Sequence, residues 1–376
     1  DQLWLSHTAL QSYARCPYSF FGSRVLRLRA PIEARMDAVN AGVFLHRVLE
    51  VFLRTSLDQD RRIRHLTEEE TVAAADRIMQ EYMTELCGDI AGDGRLLHLF
   101  ARLRAVALML VRTVQAELEQ GAFTVAGLEW DTRGRRAGDP SPLEIPLDPL
   151  PGQLPGGYDS PLPAAGGAHP DTDPDPDSPL PSASPRILMG GKIDRVDVFR
   201  DGGTVYVRVM DYKSSRHVFS EKRAWQDMNI QLLLYLFTLC APRNRHLFAD
   251  ADGRLPDAVL PAEVLYLSPV EGDDGSFSPC RSGLILNNDE VLHAASADLS
   301  PDYLPGLKVG KDGTLTGAAL CTAAHLEELD DTVRSLIRQV GEALYSGRAA
   351  RTPGEDACRF CTMRSGCPVA ERIRKL

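Results

Sequence analysis

Two short runs rich in β-branched and aromatic residues, Ile193 to Phe199 and Val205 to Tyr212, are separated by Asp201-Gly202-Gly203. This stretch constrains the fold more than any other, because such runs broken by Asp-Gly-Gly predict a β-hairpin. With Gly202-Gly203 as a two-residue turn, Asp194 stands opposite Asp211. Cross-strand partners project to one face with β-carbons about 5 Å apart. Lys213, two residues beyond Asp211, shares that face through the period-2 alternation of a strand. Two carboxylates and an ammonium therefore converge, provided the loop holds an even number of residues.

Carboxylates so close resist joint ionisation unless a cation lies between them. A hard divalent ion such as Mg2+ (or Mn2+) takes oxygen ligands from one or two carboxylates together with water and phosphate, and it can activate water for attack on a phosphodiester. In that reading Lys213 steers the water or neutralises phosphate charge. The plainer reading is a surface hairpin whose acids and lysine are solvated or paired across the strands. Lysine is scarce, six residues against 36 arginines, which makes one at this spot more telling. Short motifs of this kind still recur by chance.

A length of 376 residues admits two or three domains, or one elaborated α/β domain with insertions. Apolar content of 44% suffices for a real core. The sequence has no run of 18 or more apolar residues and no basic-plus-apolar leader, so no membrane helix or export is expected and a cytoplasmic chain is favoured. The first residue is Asp and Leu3 to Leu10 already reads as structured, which fits a piece of something longer. A net charge of -10 argues mildly against holding duplex DNA by bulk electrostatics. Acid, however, is concentrated in Asp171, Asp173, Asp175 and Asp177, away from three basic runs: Arg24, Arg27, Arg29 and Arg35; Arg133, Arg135 and Arg136; and Arg364, Arg372, Arg374 and Lys375. Each run is either a solvated face or a surface that touches nucleic acid.

From Asp148 to Pro185 the chain is dense in Pro, Gly, Asp and Ser, too poor in apolar surface to offset ordering entropy, and reads as a flexible insertion. Periodicity predicts helices over Thr8 to Arg15 behind a Ser6 or Thr8 cap, Gly42 to Leu57, residues 67–87 and 95–120, Ala224 to Cys240, and Ala324 to Tyr345. Strands are expected over Phe123 to Asp131, which carries Glu129, in the two arms of the hairpin, and over Glu263 to Leu267. This order suggests a mixed sheet with helices on both faces.

Two of these helices carry polar residues that a mere core does not require. His46 lies among apolar neighbours with Glu50 one turn later; it is either a buried histidine bonded to a carboxylate or a neutral imidazole ligating a metal. Gln231 and Tyr235, one turn apart on a nearly all-apolar helix, are either packing residues or donors that position a DNA strand. Cysteine supplies a second signal: Cys358-x2-Cys361-x5-Cys367 offers three thiolates within ten residues, and Cys16 is the best candidate for a fourth. Thiolates suit an iron-sulfur cluster or Zn2+, and spacing alone does not choose between them. Cys87, Cys240, Cys280 and Cys321 are scattered and read as small apolar residues.

Taken in order, Cys16-Pro-Tyr-Ser-Phe-Phe, Gly42-x3-His46-x3-Glu50, Gly191-Lys-Ile-Asp194-Arg-Val-Asp, Asp211-Tyr-Lys213-Ser, Gln231-x3-Tyr235 and the cysteine triplet resemble a PD-(D/E)xK nuclease. The similarity is to the RecB-like branch with an iron-sulfur staple, and most to AddB-type nuclease domains. It implies an α/β restriction-endonuclease-like core with helical insertions, in which a 4Fe-4S cluster on Cys16, Cys358, Cys361 and Cys367 staples the two ends of the chain. His46, Asp194, Asp211 and the carbonyl of Tyr212 would bind the metal. Lys213 would be catalytic, Glu129 would act with it, and Gln231 and Tyr235 would position the substrate. The resemblance divides one nuclease domain, 1–376, into a staple segment 1–41, a helical region 42–122, a core of 123–147 and 186–270 interrupted by the insertion 148–185, and a C-terminal region 271–376. It implies cleavage of single-strand DNA at DNA ends beside an AddA-like helicase-nuclease subunit. The sequence has no Gly-x4-Gly-Lys-Ser/Thr phosphate loop of its own. The alternatives are a stand-alone iron-sulfur exonuclease of the CRISPR-adaptation or exonuclease V type, and a catalytically silent DNA-binding module.

Overall fold

The Gly202-Gly203 turn forms as expected, with Asp201 paired to Thr204 and Arg195 to Met210 along an antiparallel hairpin. The computed structural model that shows this describes residues 2–28, 38–58, 65–87, 94–136, 138–147, 185–226 and 228–351, together with 357, 358, 361, 363, 364 and 367. The expected flexible insertion lies outside the described residues, apart from Pro185.

In chain order the elements are β1 (Gln2–Leu5), α1 (His7–Arg15), α2 (Pro17–Phe20), α3 (Ala38–Asp58), α4 (Glu68–Cys87), α5 (Gly94–Gln120), β2 (Thr124–Asp131), β3 (Leu143–Pro146), β4 (Arg186–Met189), β5 (Lys192–Asp201), β6 (Thr204–Tyr212), α6 (Glu221–Gln226), α7 (Gln231–Cys240), β7 (Ala258–Glu271), β8 (Phe277–Leu286), α8 (Asp289–Ala295), β9 (Lys308–Val309), β10 (Leu315–Thr316), β11 (Leu320–Cys321) and α9 (Ala323–Tyr345). Local chemistry sets several boundaries. Ser6 caps α1 by accepting from the Ala9 N–H. Thr67 and Glu70 form a reciprocal capping box at the start of α4, with the Thr67 N–H donating to Glu70 Oε2 at 2.8 Å and the Glu70 N–H to Thr67 Oγ1 at 3.3 Å. Thr322 caps α9.

The main sheet has the strand order β11-β8-β7-β6-β5-β2. β6 pairs antiparallel with β5 and parallel with β7, so α6 and α7 form the crossover that a parallel pair requires. The two faces are covered by different helices, as the alternation of residues shows: Arg195 and Arg208 reach Glu117 of α5, whereas Asp211 meets Gln231 of α7. α7 is apolar almost all round and buried from Leu232 to Leu239, as expected of a helix enclosed on every side. A smaller sheet, β1-β4-β3, adjoins the first, and β4 runs through Gly190 and Gly191 into β5.

Two expectations need correction. The helix anticipated over Ala224 to Cys240 is two, broken where Met228 takes a left-handed φ of 52°, and this break puts Gln231 in the first turn of α7. The strand anticipated over Glu263 to Leu267 extends to 14 residues. β8 lies outside the strands expected from the sequence. Gly283 is needed in that strand because a β-carbon there would strike the Val264 carbonyl.

Candidate active site

The hairpin register sets Asp194 opposite Asp211, one step beyond the Arg195–Met210 pair. β2 extends the row: Leu128 and Trp130 pair with Arg195 and Ile193, which puts Glu129 beside Asp194. Three acids thus stand on three adjacent strands. Glu129 holds a φ of 53°, a left-handed conformation that costs a non-glycine residue about 1–2 kcal/mol. Such strain persists only where the surroundings enforce it, and it clusters at functional sites.

His46 reaches the row from α3. Its Nε2 donates to the Tyr212 carbonyl at 2.7 Å, and its Nδ1 lies 3.4 Å from Asp194 Oδ1. Asp194 Oδ2 accepts the Tyr212 N–H at 2.9 Å. Burial alone would lower the His46 pKa, but Asp194 and the Tyr212 carbonyl outweigh it and hold the imidazole up at about 9. Glu50, the carboxylate one turn away, does not serve His46. It pairs with Arg47 at 3.2 Å and Arg54 at 3.0 Å. Among the described residues, His46, Glu129 and Asp194 bring one ligand atom each within 4.8 Å of one another. Burial raises the Glu129 pKa, against the ammonium of Lys192 2.6 Å away.

Asp211 is buried, and that burial, reinforced by Asp194 and opposed by Lys213, pushes its carboxyl up to about 7. Gln231 Nε2 donates to Asp211 Oδ1 at 2.7 Å, while Gln231 Oε1 lies 3.4 Å from Lys213 Nζ. Lys213 Nζ stands 2.6 Å from Asp211 Oδ2, a close ion pair. Crowded carboxylates with an imidazole and a carbonyl beside them form a donor set that a hard divalent cation fits.

Tyr235, expected to position substrate, packs its hydroxyl where a β-carbon on Gly191 would stand. Two further residues have no role assigned from sequence. His7 sets its ring edge-on to Tyr235, 6.2 Å between centroids, and burial and then Lys213 lower its pKa to about 4. Tyr266 pairs with Asp211 across β6 and β7 and lies under Lys213 Nζ, 5.2 Å from the ring centroid. Its place in β7, level with Asp211, is the only sequence signal for it. On the opposite face a buried ion network backs the hairpin. Arg195 donates to Asp197 at 2.7 Å and to Glu117 at 2.8 Å, Arg208 donates to Asp197 at 2.8 Å and to Glu117 at 3.0 Å, and Arg281 reaches Glu117 at 2.9 Å. Burial would raise the Glu117 carboxyl, but Arg208, Arg195 and Arg281 hold it far below the usual carboxylate range.

Cys358 lies near the other three cysteines of the expected set. Burial first, then the nearness of Cys361, Cys16 and Cys367, raises the Cys358 thiol, and all four are free. The two ends of the chain meet around them. Tyr13 Oη donates to the Arg348 carbonyl at 2.8 Å, the Tyr18 N–H to the Ala350 carbonyl at 3.1 Å, and Cys361 Sγ lies 3.6 Å from Ser19 Oγ. Four unpaired thiols gathered from both ends suit a thiolate-ligated metal or cluster. Cys321, by contrast, is pushed up to about 12 by burial, as an inert core thiol is.

Similarity to known proteins covers both the acidic row and the cysteines. The chain is 27% identical to the B subunit of the ATP-dependent helicase/deoxyribonuclease of Symbiobacterium thermophilum, across 98% of this chain and 29% of that protein. It is also 27% identical to the protein of the same name from Moorella thermoacetica, across 99% of this chain and 30% of that protein. The chain therefore spans about three-tenths of the length of these relatives. The family model described as the PD-(D/E)XK nuclease superfamily matches residues 4–368, and with the acids, the lysine and the sheet in the arrangement described, the chain belongs to that superfamily.

Proposed function

We propose that this chain is the metal-dependent deoxyribonuclease part of an AddAB-like helicase-nuclease, cutting single-strand DNA exonucleolytically at double-strand ends in the cytoplasm alongside an AddA-like helicase-nuclease partner. The observation that carries this reading is the convergence of Glu129, His46, Asp194, Asp211 and Lys213 at one end of β5 and β6. The names of the relatives supply the helicase context.

His46, Asp194, Asp211, Glu129 and the Tyr212 carbonyl would hold Mg2+ or Mn2+. When bound, that ion would polarise the scissile phosphate and lower the pKa of the attacking water. To ligate, His46 gives up the proton that its neighbours now favour, so binding would release protons. Gln231 orients Asp211 and lies near Lys213 at once, and Lys213 is placed to offset phosphate charge or orient the water. Cys16, Cys358, Cys361 and Cys367 would hold a 4Fe-4S cluster that fixes the C-terminal segment to α1 and α2, with Zn2+ as the alternative occupant.

The test is cleavage of an end-labelled single strand by the intact protein. Asp211→Ala and Lys213→Ala should each abolish metal-dependent cutting while the circular dichroism and melting of the wild type persist. Cutting that survives in both folded variants would overturn the assignment.

A further inference from the structure

The basic run Arg133, Arg135 and Arg136 takes no part in the acidic site, and the structure sets an exposed aromatic ring beside it. Trp4 lies on β1, an edge strand of the small sheet, and is 47% exposed. A β-carbon on Gly190 would meet the Trp4 ring at 3.4 Å and the stem of Arg133 as well, so ring and stem flank one point on the segment that leads into β5. Arg133 is fixed there by Asp131, to which Nε donates at 2.7 Å and Nη2 at 2.6 Å. Arg135 and Arg136 stand exposed in the turn that follows. The next residue, Gly191, makes room for the Tyr235 hydroxyl. Lys192 comes after it with a side chain 58% exposed. Asp194 is four residues beyond Gly190, at most about 14 Å along the chain.

An exposed indole beside arginine side chains is a combination that binds single-stranded nucleic acid. Cations track the phosphates, and the ring takes the face of an unstacked base whatever its identity. A duplex offers no free base face to such a ring. The chain carries -10 overall, yet Arg135 and Arg136 stand exposed on the edge leading to the acids. We propose that Trp4 is a base-stacking platform for the single-strand DNA flanking the scissile phosphate, with Arg133, Arg135 and Lys192 along its sugar-phosphate backbone. This rests on the nuclease reading above, and it adds the place where the strand is gripped.

The experiment measures binding of fluorescent oligo-dT to the intact protein in EDTA, so that cleavage plays no part, and compares wild type, Trp4→Ala and Trp4→Phe. Stacking worth about 1–3 kcal/mol per base predicts that Trp4→Ala weakens binding about 5- to 150-fold. Trp4→Phe should keep most of the affinity, and an abasic strand of the same length should bind wild type and Trp4→Ala alike. In cleavage the Trp4→Ala defect should appear in KM rather than kcat. Equal binding of oligo-dT by wild type and Trp4→Ala, or an equal loss on the abasic strand, would overturn the platform. So would a wild type that binds no single strand. None of these outcomes decides the nuclease reading, which stands or falls on the Asp211 and Lys213 variants.

Discussion

Gln231 Nε2 donates to Asp211 Oδ1 at 2.7 Å although 20 residues and a crossover separate the two. The break at Met228 starts α7 at Gln231 and so aims the amide at the carboxylate. Because the same amide lies 3.4 Å from Lys213 Nζ through Oε1, one side chain sets both charged groups of the β6 motif. Removing a partner that orients a metal ligand costs about 10- to 100-fold in affinity or activity. Gln231→Ala should therefore lower kcat by that factor and shift the metal titration to higher concentration. Gln231→Glu should be worse, since it sets another carboxylate against Asp211. Unchanged metal dependence in both variants would remove Gln231 from the site.

Much of this site is legible in the order of residues, for a definite reason. A two-residue turn and the period of a strand fix which side chains of a hairpin share a face, so spacing alone brings Asp194, Asp211 and Lys213 together. His46 and Gln231 can be marked as polar residues on apolar helices, but not aimed, because a helix face says nothing of what lies opposite. The carboxylate expected for His46 is Glu50, and the structure gives it Asp194. The ion network around Glu117 leaves no local pattern at all, since its partners lie 78 to 164 residues away. The same holds for the break before Gln231, which no glycine or proline announces.

Glu263 is the exception within that network. It is buried, its nearest charge is Arg208 at 3.6 Å, and neither of its oxygens has a hydrogen bond. Burial raises its carboxyl to about 7, against the pull of Arg208. Between its ordinary value of 4.5 and about 7 the unfolded chain has lost this proton while the folded chain keeps it. Stability therefore falls as pH rises through that window, by on the order of 3 kcal/mol, and is flat above it. Glu263→Gln abolishes this contribution. In urea unfolding at pH 5 and pH 8, the variant should gain on the wild type at the higher pH. A difference between the two proteins that does not change with pH would contradict the raised carboxyl.

The nearness of Cys358 to Cys16, Cys361 and Cys367 makes a prediction that does not depend on catalysis. Protein purified anaerobically should contain iron and absorb broadly in the visible. Cys16→Ala should lose both, and its C-terminal segment should become sensitive to protease because the staple to α1 and α2 is gone. Asp211→Ala should keep iron and colour. A colourless wild type loaded with zinc would replace the cluster by a tetrahedral thiolate site and leave the staple itself in place.

Glu129 offers the sharpest separation of function from stability. Its φ of 53° is strained for any residue with a β-carbon, its carboxylate is partly desolvated beside Asp194, and its ion pair with Lys192 involves a mostly exposed ammonium, which adds little. Each of these terms makes Glu129 a poor choice for the folded state alone. Glycine takes the left-handed conformation without steric cost, although its looser unfolded chain gives back part of the gain. Glu129→Gly should therefore melt at or slightly above the wild-type temperature, within about 1 kcal/mol in stability, while cutting falls and more metal is needed for half-maximal rate. Glu129→Gln should likewise need more metal and keep the strain, so it should match the glycine variant in activity and fall below it in stability. A strained acid kept only for packing would give the opposite pattern, with both variants less stable and fully active.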